Sequence, residues 1–238
     1  MKIAEVEVDV SYGQCIAVVA HELRYPLLPI RNAAAMLRQP TVDLATIRHV
    51  AGIIERQAIG MNRLIGDLVD VSRMQQGVMQ IRRVRAALSD LLQLAAESAG
   101  PLANERNHTL TVSAPAEPVH LQADVLRLCQ ALVNIIANAT KYTDSRGNIA
   151  IRAQREGMHA VIVVSDTGSG IPPQDLEMIF GLFEKSSQGT RIEQGLGMGL
   201  YLARHLIEAH GGAVTAASAG PGCGSAFTVR LPCEAAGG

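Results

Sequence analysis

Apolar residues in the first third of the chain recur in alternating steps of four and three. Ile16, Ala20, Leu23, Leu27, Ile30, Ala34 and Leu37 keep this rhythm in one segment. Ile47, Val50, Ile54, Met61, Leu64, Leu68 and Val71 keep it in a second, interrupted at Gln57. Such spacing draws an apolar stripe along a helix that packs against other helices in a coiled-coil-like way. Between the segments lies Gln39-Pro40-Thr41-Val42-Asp43, a short connection containing a helix breaker. Two long helices joined by a short turn make an antiparallel hairpin, and one hairpin leaves its seam half covered. Hairpins from two copies close a four-helix bundle, so a homodimer is expected. The competing arrangement lays the hairpin on its own downstream domain.

The rhythm changes after Ser72-Arg73-Met74-Gln75-Gln76-Gly77, which divides the chain into a helical domain, 1–76, and a second domain, 77–238. In the second, helices are expected over Leu88–Ala99, Gln122–Thr140 and Leu200–Ala209, the last stopped by Gly211-Gly212. Strands are expected over His108–Val112, Ile149–Ala153, Ala160–Val164, Val214–Ala217 and Ala226–Leu231. The second and third of these pair around a turn at Glu156-Gly157. This order gives a mixed sheet with helices on one face, an α/β sandwich, and the whole chain is α+β.

Composition narrows the function. Of 238 residues 48% are hydrophobic, enough for real cores, but only 3% are aromatic and Trp is absent. Ala, Leu, Ile and Val must therefore do the packing, and base stacking on aromatic platforms is disfavoured. The formal net charge is −1, with no basic run to neutralise a row of phosphates, which argues against nucleic acid as a partner. Cys15, Cys129, Cys223 and Cys233 stand far apart, without metal-like spacing, and read as reduced, buried thiols suited to a cytoplasmic setting. No apolar run approaches the length of a membrane span, so direct membrane insertion is not expected of this chain. Any sensing part across a membrane, in a larger anchored receptor, would lie outside it.

Five stretches carry candidate chemistry. In Val19-Ala20-His21-Glu22-Leu23-Arg24-Tyr25-Pro26-Leu27, the seam residues are Ala20, Leu23 and Leu27, which leaves His21 on the flank, within reach of another domain. Pro26 and Pro29 each cost about 3 kcal/mol inside a helix and press on the carbonyls of Glu22 and Tyr25, so local distortion is expected beside His21. Glu22 is placed to accept the imidazole proton, freeing a ring nitrogen for attack. In Asn134-Ile135-Ile136-Ala137-Asn138-Ala139-Thr140-Lys141-Tyr142-Thr143, Asn134 and Asn138 share one face of an otherwise apolar helix. Asparagine is a poor helix former, and an amide oxygen suits Mg²⁺, while Lys141 can reach a phosphate as a point charge. Ser165-Asp166-Thr167-Gly168-Ser169-Gly170-Ile171-Pro172 puts a carboxylate at a strand end before a tight turn. That carboxylate can accept from an exocyclic amine such as that of adenine, though alone the stretch reads more readily as a polar turn. Gly195-Leu196-Gly197-Met198-Gly199-Leu200 runs into a helix whose N-terminus favours phosphate. It matches neither the dinucleotide fingerprint nor the P-loop. Glu184–Gln194, following Phe180-Gly181-Leu182-Phe183, reads as a lid hinged at Gly189 and Gly195, with Lys185 and Arg191 as phosphate contacts or solvated charges.

Together these stretches resemble the sensor histidine kinases. HELRYPL is similar to the family's histidine box and NIIANATKYT to its asparagine box. DTGSGIPP, IFGLF and GLGMGLYLAR resemble its first glycine, phenylalanine and second glycine boxes, in the family's order, and DLVDVSRMQQG resembles the end of its second dimerisation helix. The resemblance implies a dimerisation and phosphotransfer hairpin followed by a Bergerat-type ATPase domain, the fold shared with gyrase and certain chaperone ATPases. It implies His21 as phosphoacceptor with Glu22 as its acidic neighbour, Asn138 as Mg²⁺ ligand beside Asn134, and Asp166 on the adenine amine. Lys141, Tyr142, Gly168, Gly170, Gly195, Leu196, Gly197 and Gly199 fall in the boxes that shape the ATP pocket and its lid. The phosphoryl group would pass to an aspartate of a response regulator receiver domain.

Tyr25 departs from the pattern. Four residues after the phosphoacceptor the family usually has Asn or Thr to position water for dephosphorylating the regulator. A phenol lacks that geometry, so weak or absent phosphatase activity is expected. Two other readings stay open: a nucleotide-binding signalling scaffold without phosphotransfer, which Tyr25 favours, and a chaperone- or gyrase-like ATPase, which the His-Glu pair disfavours.

Overall fold

The computed structural model describes residues 20, 23–39, 41–184 and 196–235. It divides into two compact units, with the chain passing from one to the other between Ser72 and Arg73.

The first unit is a helical hairpin. Helix α1 covers residues 23–37 and contains both Pro26 and Pro29 without a break. Helix α2 runs Leu44–Gln75. Asp43 caps it, its Oδ1 accepting from the Thr46 backbone N–H at 2.7 Å. Ala33 and Val50 are buried. On the predicted stripe Leu27, Leu37 and Ile47 are exposed, and so are Leu28, Ile59 and Ile65 outside it. Pro40 lies outside the described residues.

The second unit is an α/β sandwich. Its strands are β1 (Val84–Ala87), β2 (Thr109–Ser113), β3 (His120–Ala123), β4 (Asn148–Glu156), β5 (His159–Asp166), β6 (Ala213–Ala217) and β7 (Ser225–Pro232). Its helices are α3 (Leu88–Glu105), α4 (Val125–Tyr142) and α5 (Gly199–Glu208). The main sheet has the order β2-β4-β5-β7-β6, with β2 and β4 parallel and every other pair antiparallel. The expected mixed sheet is therefore present.

Period-two alternation decides which strand residues face the core. Ile151 pairs with Val164 and Val164 with Phe227; Ala153 pairs with Ile162 and Ile162 with Val229. All six are buried, on one face, in the same apolar cluster as Leu88, Leu92, Leu128, Leu132, Ile135, Leu202 and Leu206 from the three helices.

Three features depart from the sequence reading. A separate two-stranded antiparallel sheet joins β1 to β3. Its strands are only four residues each, too short for a periodic signal. Moreover, α4 begins at Val125 rather than Gln122, because Asp124 stops the strand and caps the helix through Oδ1 and the Arg127 N–H, 3.2 Å apart. Helix α3, in turn, continues to Glu105 through Pro101.

Glu234 ties the small sheet to the main one: its carboxylate accepts from Arg85 Nε at 2.9 Å and Gln122 Nε2 at 3.0 Å, and its carbonyl from Arg155 Nη2 at 2.6 Å. Cys129 and Cys233 are free and buried, whereas Cys223 is free but exposed on the β6–β7 loop; Cys15 lies outside the described residues. No helix among the described residues is long and apolar enough to cross a membrane.

Candidate functional site

The sheet register places Asp166. It is the last residue of β5, on the core-facing side, paired with Ile149 of β4 and Ser225 of β7. A carboxylate there is nearly buried and must be hydrogen-bonded. Its Oδ1 accepts from the Gly168 N–H at 2.8 Å and the Ser225 N–H at 3.2 Å, and its Oδ2 accepts from the Ser225 hydroxyl.

Beyond Asp166 the chain turns tightly and is gripped from two sides. On one side the Ser169 N–H donates to the Tyr142 carbonyl at the end of α4, 3.0 Å away. A side chain at Gly168 would collide with that carbonyl. On the other side the β6–β7 loop donates its Gly222 N–H to Ser169 O and its Gly224 N–H to Gly168 O, at 2.6 and 3.0 Å. Ser218 Oγ accepts from the Ile171 N–H at 3.1 Å. Gly170 has φ +72°, and a Cβ there would strike the Gly220 carbonyl, so both conformation and space require glycine.

Helix α4 contributes its polar face. Asn134 is buried and Asn138, one turn on, is half-buried. Gly199 opens α5 against Asn134: a Cβ at this glycine would lie 3.7 Å from Asn134 Cγ. The α5 N-terminus carries no side-chain cap, since Met198 makes none. Its leading N–H groups and the helix dipole thus suit an anion. At the other end of α4 the Lys141 ammonium donates to Tyr142 Oη at 3.0 Å and sits 4.5 Å from that ring's centroid, so the two side chains form one unit.

Gly197, at φ +68°, packs against the backbone of Phe183 and Glu184; a Cβ would fall 2.6 Å from Glu184 O. Phe183 itself has φ +64°, a left-handed conformation that costs a non-glycine residue roughly 1–2 kcal/mol. The two ends of the expected lid are thus brought side by side. Phe180, three residues earlier, is buried edge-on against Phe227, with ring centroids 6.2 Å apart at 81°. That contact anchors the segment beneath the site.

Thus Tyr142, Asp166, Gly168 and Gly170 meet in one cluster, while Asn134 meets Gly199. Leu196 is buried. His21, Glu22, Lys185, Gly189, Arg191 and Gly195 lie outside the described residues. Sequence reasoning missed Ser225, Ser218 and the glycines of the β6–β7 loop. Their signal is the run Ser218-Ala219-Gly220-Pro221-Gly222-Cys223-Gly224-Ser225, which reads as an ordinary turn until its partner loop is known. Among the described residues, no cluster of three or more His, Cys, Asp or Glu side chains has metal-binding geometry. The oxygen donors of α4 and the uncapped α5 N-terminus nevertheless fit a nucleotide whose phosphates carry much of a cation's shell.

Comparison with known proteins supplies the kinship. Residues 11–77 match the His Kinase A (phospho-acceptor) domain, and residues 123–235 match the histidine kinase-, DNA gyrase B- and HSP90-like ATPase domain. Hybrid signal transduction histidine kinase D of Dictyostelium discoideum is 33% identical over 95% of this chain and 15% of its own length. The adaptive-response sensory kinase SasA of Synechococcus elongatus is 32% identical over 92% of this chain and 58% of its own. The chain spans less than two thirds of the length of either relative. Full-length ShkA, solved in complex with AMPPNP, shares the fold at a TM-score of 0.66 and 25% identity, over 95% of this chain and 47% of that one. ThkA, solved in complex with the response regulator protein TrrA, has the same fold at a TM-score of 0.66 and 22% identity, over 95% and 63%. With an ATPase domain matched over residues 123–235 and a phospho-acceptor domain matched before it, the chain belongs to the sensor histidine kinases and comprises their catalytic core.

Proposed function

We propose that this core transfers the γ-phosphoryl group of ATP to its own His21 and passes it to an aspartate in the receiver domain of a response regulator. The functional domains are residues 1–76, for dimerisation and phosphotransfer, and 77–238, for ATP binding. The observation that carries the reading is Asp166. It is a carboxylate held in place by Gly168 and Ser225, on a loop that admits no side chain at Gly168, within a chain that also matches a phospho-acceptor domain.

In this reading Asp166 accepts from the adenine amine, and Gly168 and Gly170 let the purine approach the backbone. The uncapped α5 N-terminus at Gly199, with Gly195, Leu196 and Gly197 before it, faces the phosphates. Lys141, paired with Tyr142, supplies a positive charge at the end of α4. Asn138 would hold Mg²⁺ beside Asn134; when bound, the ion draws charge from the phosphate oxygens. A ring nitrogen of His21 attacks the γ-phosphorus, the bond to the bridging oxygen breaks, and ADP leaves. Glu22 takes the imidazole proton. The phosphoryl group then moves to a receiver carboxylate as the bond to the His21 nitrogen breaks.

The exposed apolar residues of the hairpin, among them Leu27, Ile47, Ile59 and Ile65, support a second copy as the partner that covers them. A cytoplasmic location follows from the need for ATP and a regulator. Incubation with γ-labelled ATP tests the proposal. Acid-labile, alkali-stable label on the protein, lost in His21→Gln, is expected. Bound nucleotide without label points to a scaffold instead, and phosphate release that survives His21→Gln points to a simple ATPase.

A further inference from the structure

A helix leaves its last four carbonyls without intrahelical partners, and each must be satisfied from elsewhere. In α4 all four are, by four different groups. Ala139 O accepts from the Thr143 N–H at 3.1 Å. Thr140 O accepts from His108 Nε2 at 3.1 Å, Lys141 O from Arg106 Nη1 at 2.8 Å, and Tyr142 O from the Ser169 N–H at 3.0 Å.

The set is uneven in a telling way. Thr143 is simply the next residue. Ser169 belongs to the loop that carries Asp166. Arg106 and His108 come from the segment between α3 and β2, more than thirty residues away in sequence. That segment is itself fixed: the Arg146 N–H donates to Arg106 O at 3.1 Å, the His108 N–H to Ala103 O at 2.9 Å, and the Thr109 N–H to Gly147 O at 3.0 Å. His108 is buried, and because a carbonyl only accepts, its Nε2 must carry the proton. Arginine and histidine also complement the negative end of the helix dipole.

We infer that Arg106 and His108 are positioning residues for the nucleotide site, holding the last turn of α4 so that the Tyr142 carbonyl can seat the Asp166 loop. The inference rests on the nucleotide reading above. Neither residue belongs to any of the five boxes. Both act through the backbone, on the turn that bears Lys141 and Tyr142. Because Gly168 lies flat on the Tyr142 carbonyl, any shift of this turn moves the floor under the loop that receives the purine. The residues serve binding rather than phosphoryl transfer, so their loss should raise KM and spare kcat.

The test compares wild type, Arg106→Ala, Arg106→Lys and His108→Phe for Mg-ATP binding by titration and for autophosphorylation kinetics. For Arg106→Ala and His108→Phe the KM for ATP should rise roughly fivefold with kcat within about twofold of wild type. Arg106→Lys, which keeps a cationic donor for Lys141 O, should recover most of the loss. A KM within twofold of wild type in both Arg106→Ala and His108→Phe overturns the inference while leaving the nucleotide site intact. So does a fall in kcat with KM unchanged, or a raised KM that Arg106→Lys does not recover. Failure of the wild-type chain to bind Mg-ATP overturns the nucleotide reading and this inference together.

Discussion

Asp166 and Ser225 stand opposite one another at the ends of β5 and β7, and Ser225 donates to the Asp166 carboxylate from both its backbone N–H and its hydroxyl. The pair explains how a nearly buried carboxylate keeps one orientation while still able to accept from a ligand. Ser225→Ala deletes the hydroxyl and leaves the backbone donor. Affinity for ATP should fall by up to about tenfold, as a hydrogen bond to a charged group is lost, with the fold unchanged. Calorimetric titration of Mg-ATP measures it; full affinity in the variant would place the orientation of Asp166 elsewhere.

Gly168→Ala attacks the same loop from below. The new methyl would enter the Tyr142 carbonyl, so loop and helix must separate. Nucleotide affinity should drop at least tenfold, roughly 1.4 kcal/mol or more. Gly77→Ala, at a glycine with open space around it, should leave binding alone although its φ of +68° costs some stability. Equal affinity for the two variants would contradict the steric argument.

His210 predicts an acid-sensitive fold. The imidazole is buried, its Nδ1–H donates to Leu206 O at 2.7 Å, and its Nε2 accepts from the Asp124 N–H at 3.0 Å. Burial, chiefly, holds its pKa below the ordinary value, and the Arg83 charge adds to this; the Leu206 bond and Asp124 oppose it. Protonation would put a second donor against the Asp124 N–H. A depressed folded-state pKa means that the stabilisation is complete above the unfolded value, about 6.5, and is lost as pH falls through the folded value. Melting temperature should therefore drop between pH 7.5 and pH 5, and His210→Gln should flatten that part of the profile. An unchanged slope in the variant would assign the acid sensitivity to other groups.

Tyr25, exposed on α1, bears on the hydrolytic removal of the phosphoryl group from the regulator. If the residue four positions past His21 governs water in regulator dephosphorylation, Tyr25→Asn should gain phosphatase activity while autophosphorylation persists. The measurement is loss of label from a phosphorylated receiver domain incubated with each variant. No gain would count against Tyr25 as a determinant of phosphatase activity.

The main sheet was legible because its strands alternate: Ile149, Ile151 and Ala153 face one way, and the apolar run of β5 marks a strand covered by neighbours. Helix α4 was legible from its apolar face and its two asparagines. The small β1–β3 sheet was not, since four residues carry no reliable period and Gln122 reads equally well as a helix start. Nor were Arg106 and His108, whose residue types are common and whose partners are carbonyls, which leave no trace in a sequence.

Taken alone, the sequence determined the local choices: helix stripe or alternating strand, where glycine interrupts, and which polar residues stand on an apolar face. These depend on neighbours within a few positions, so they survive in the linear order. Only the tertiary structure decided that the β6–β7 loop and the end of α4 would clasp the Asp166 loop between them, and that Arg106 and His108 would complete the helix end. Hydrogen bonds to backbone groups form between any residues that the packing brings within reach, and that proximity is set by the whole core rather than by any one segment.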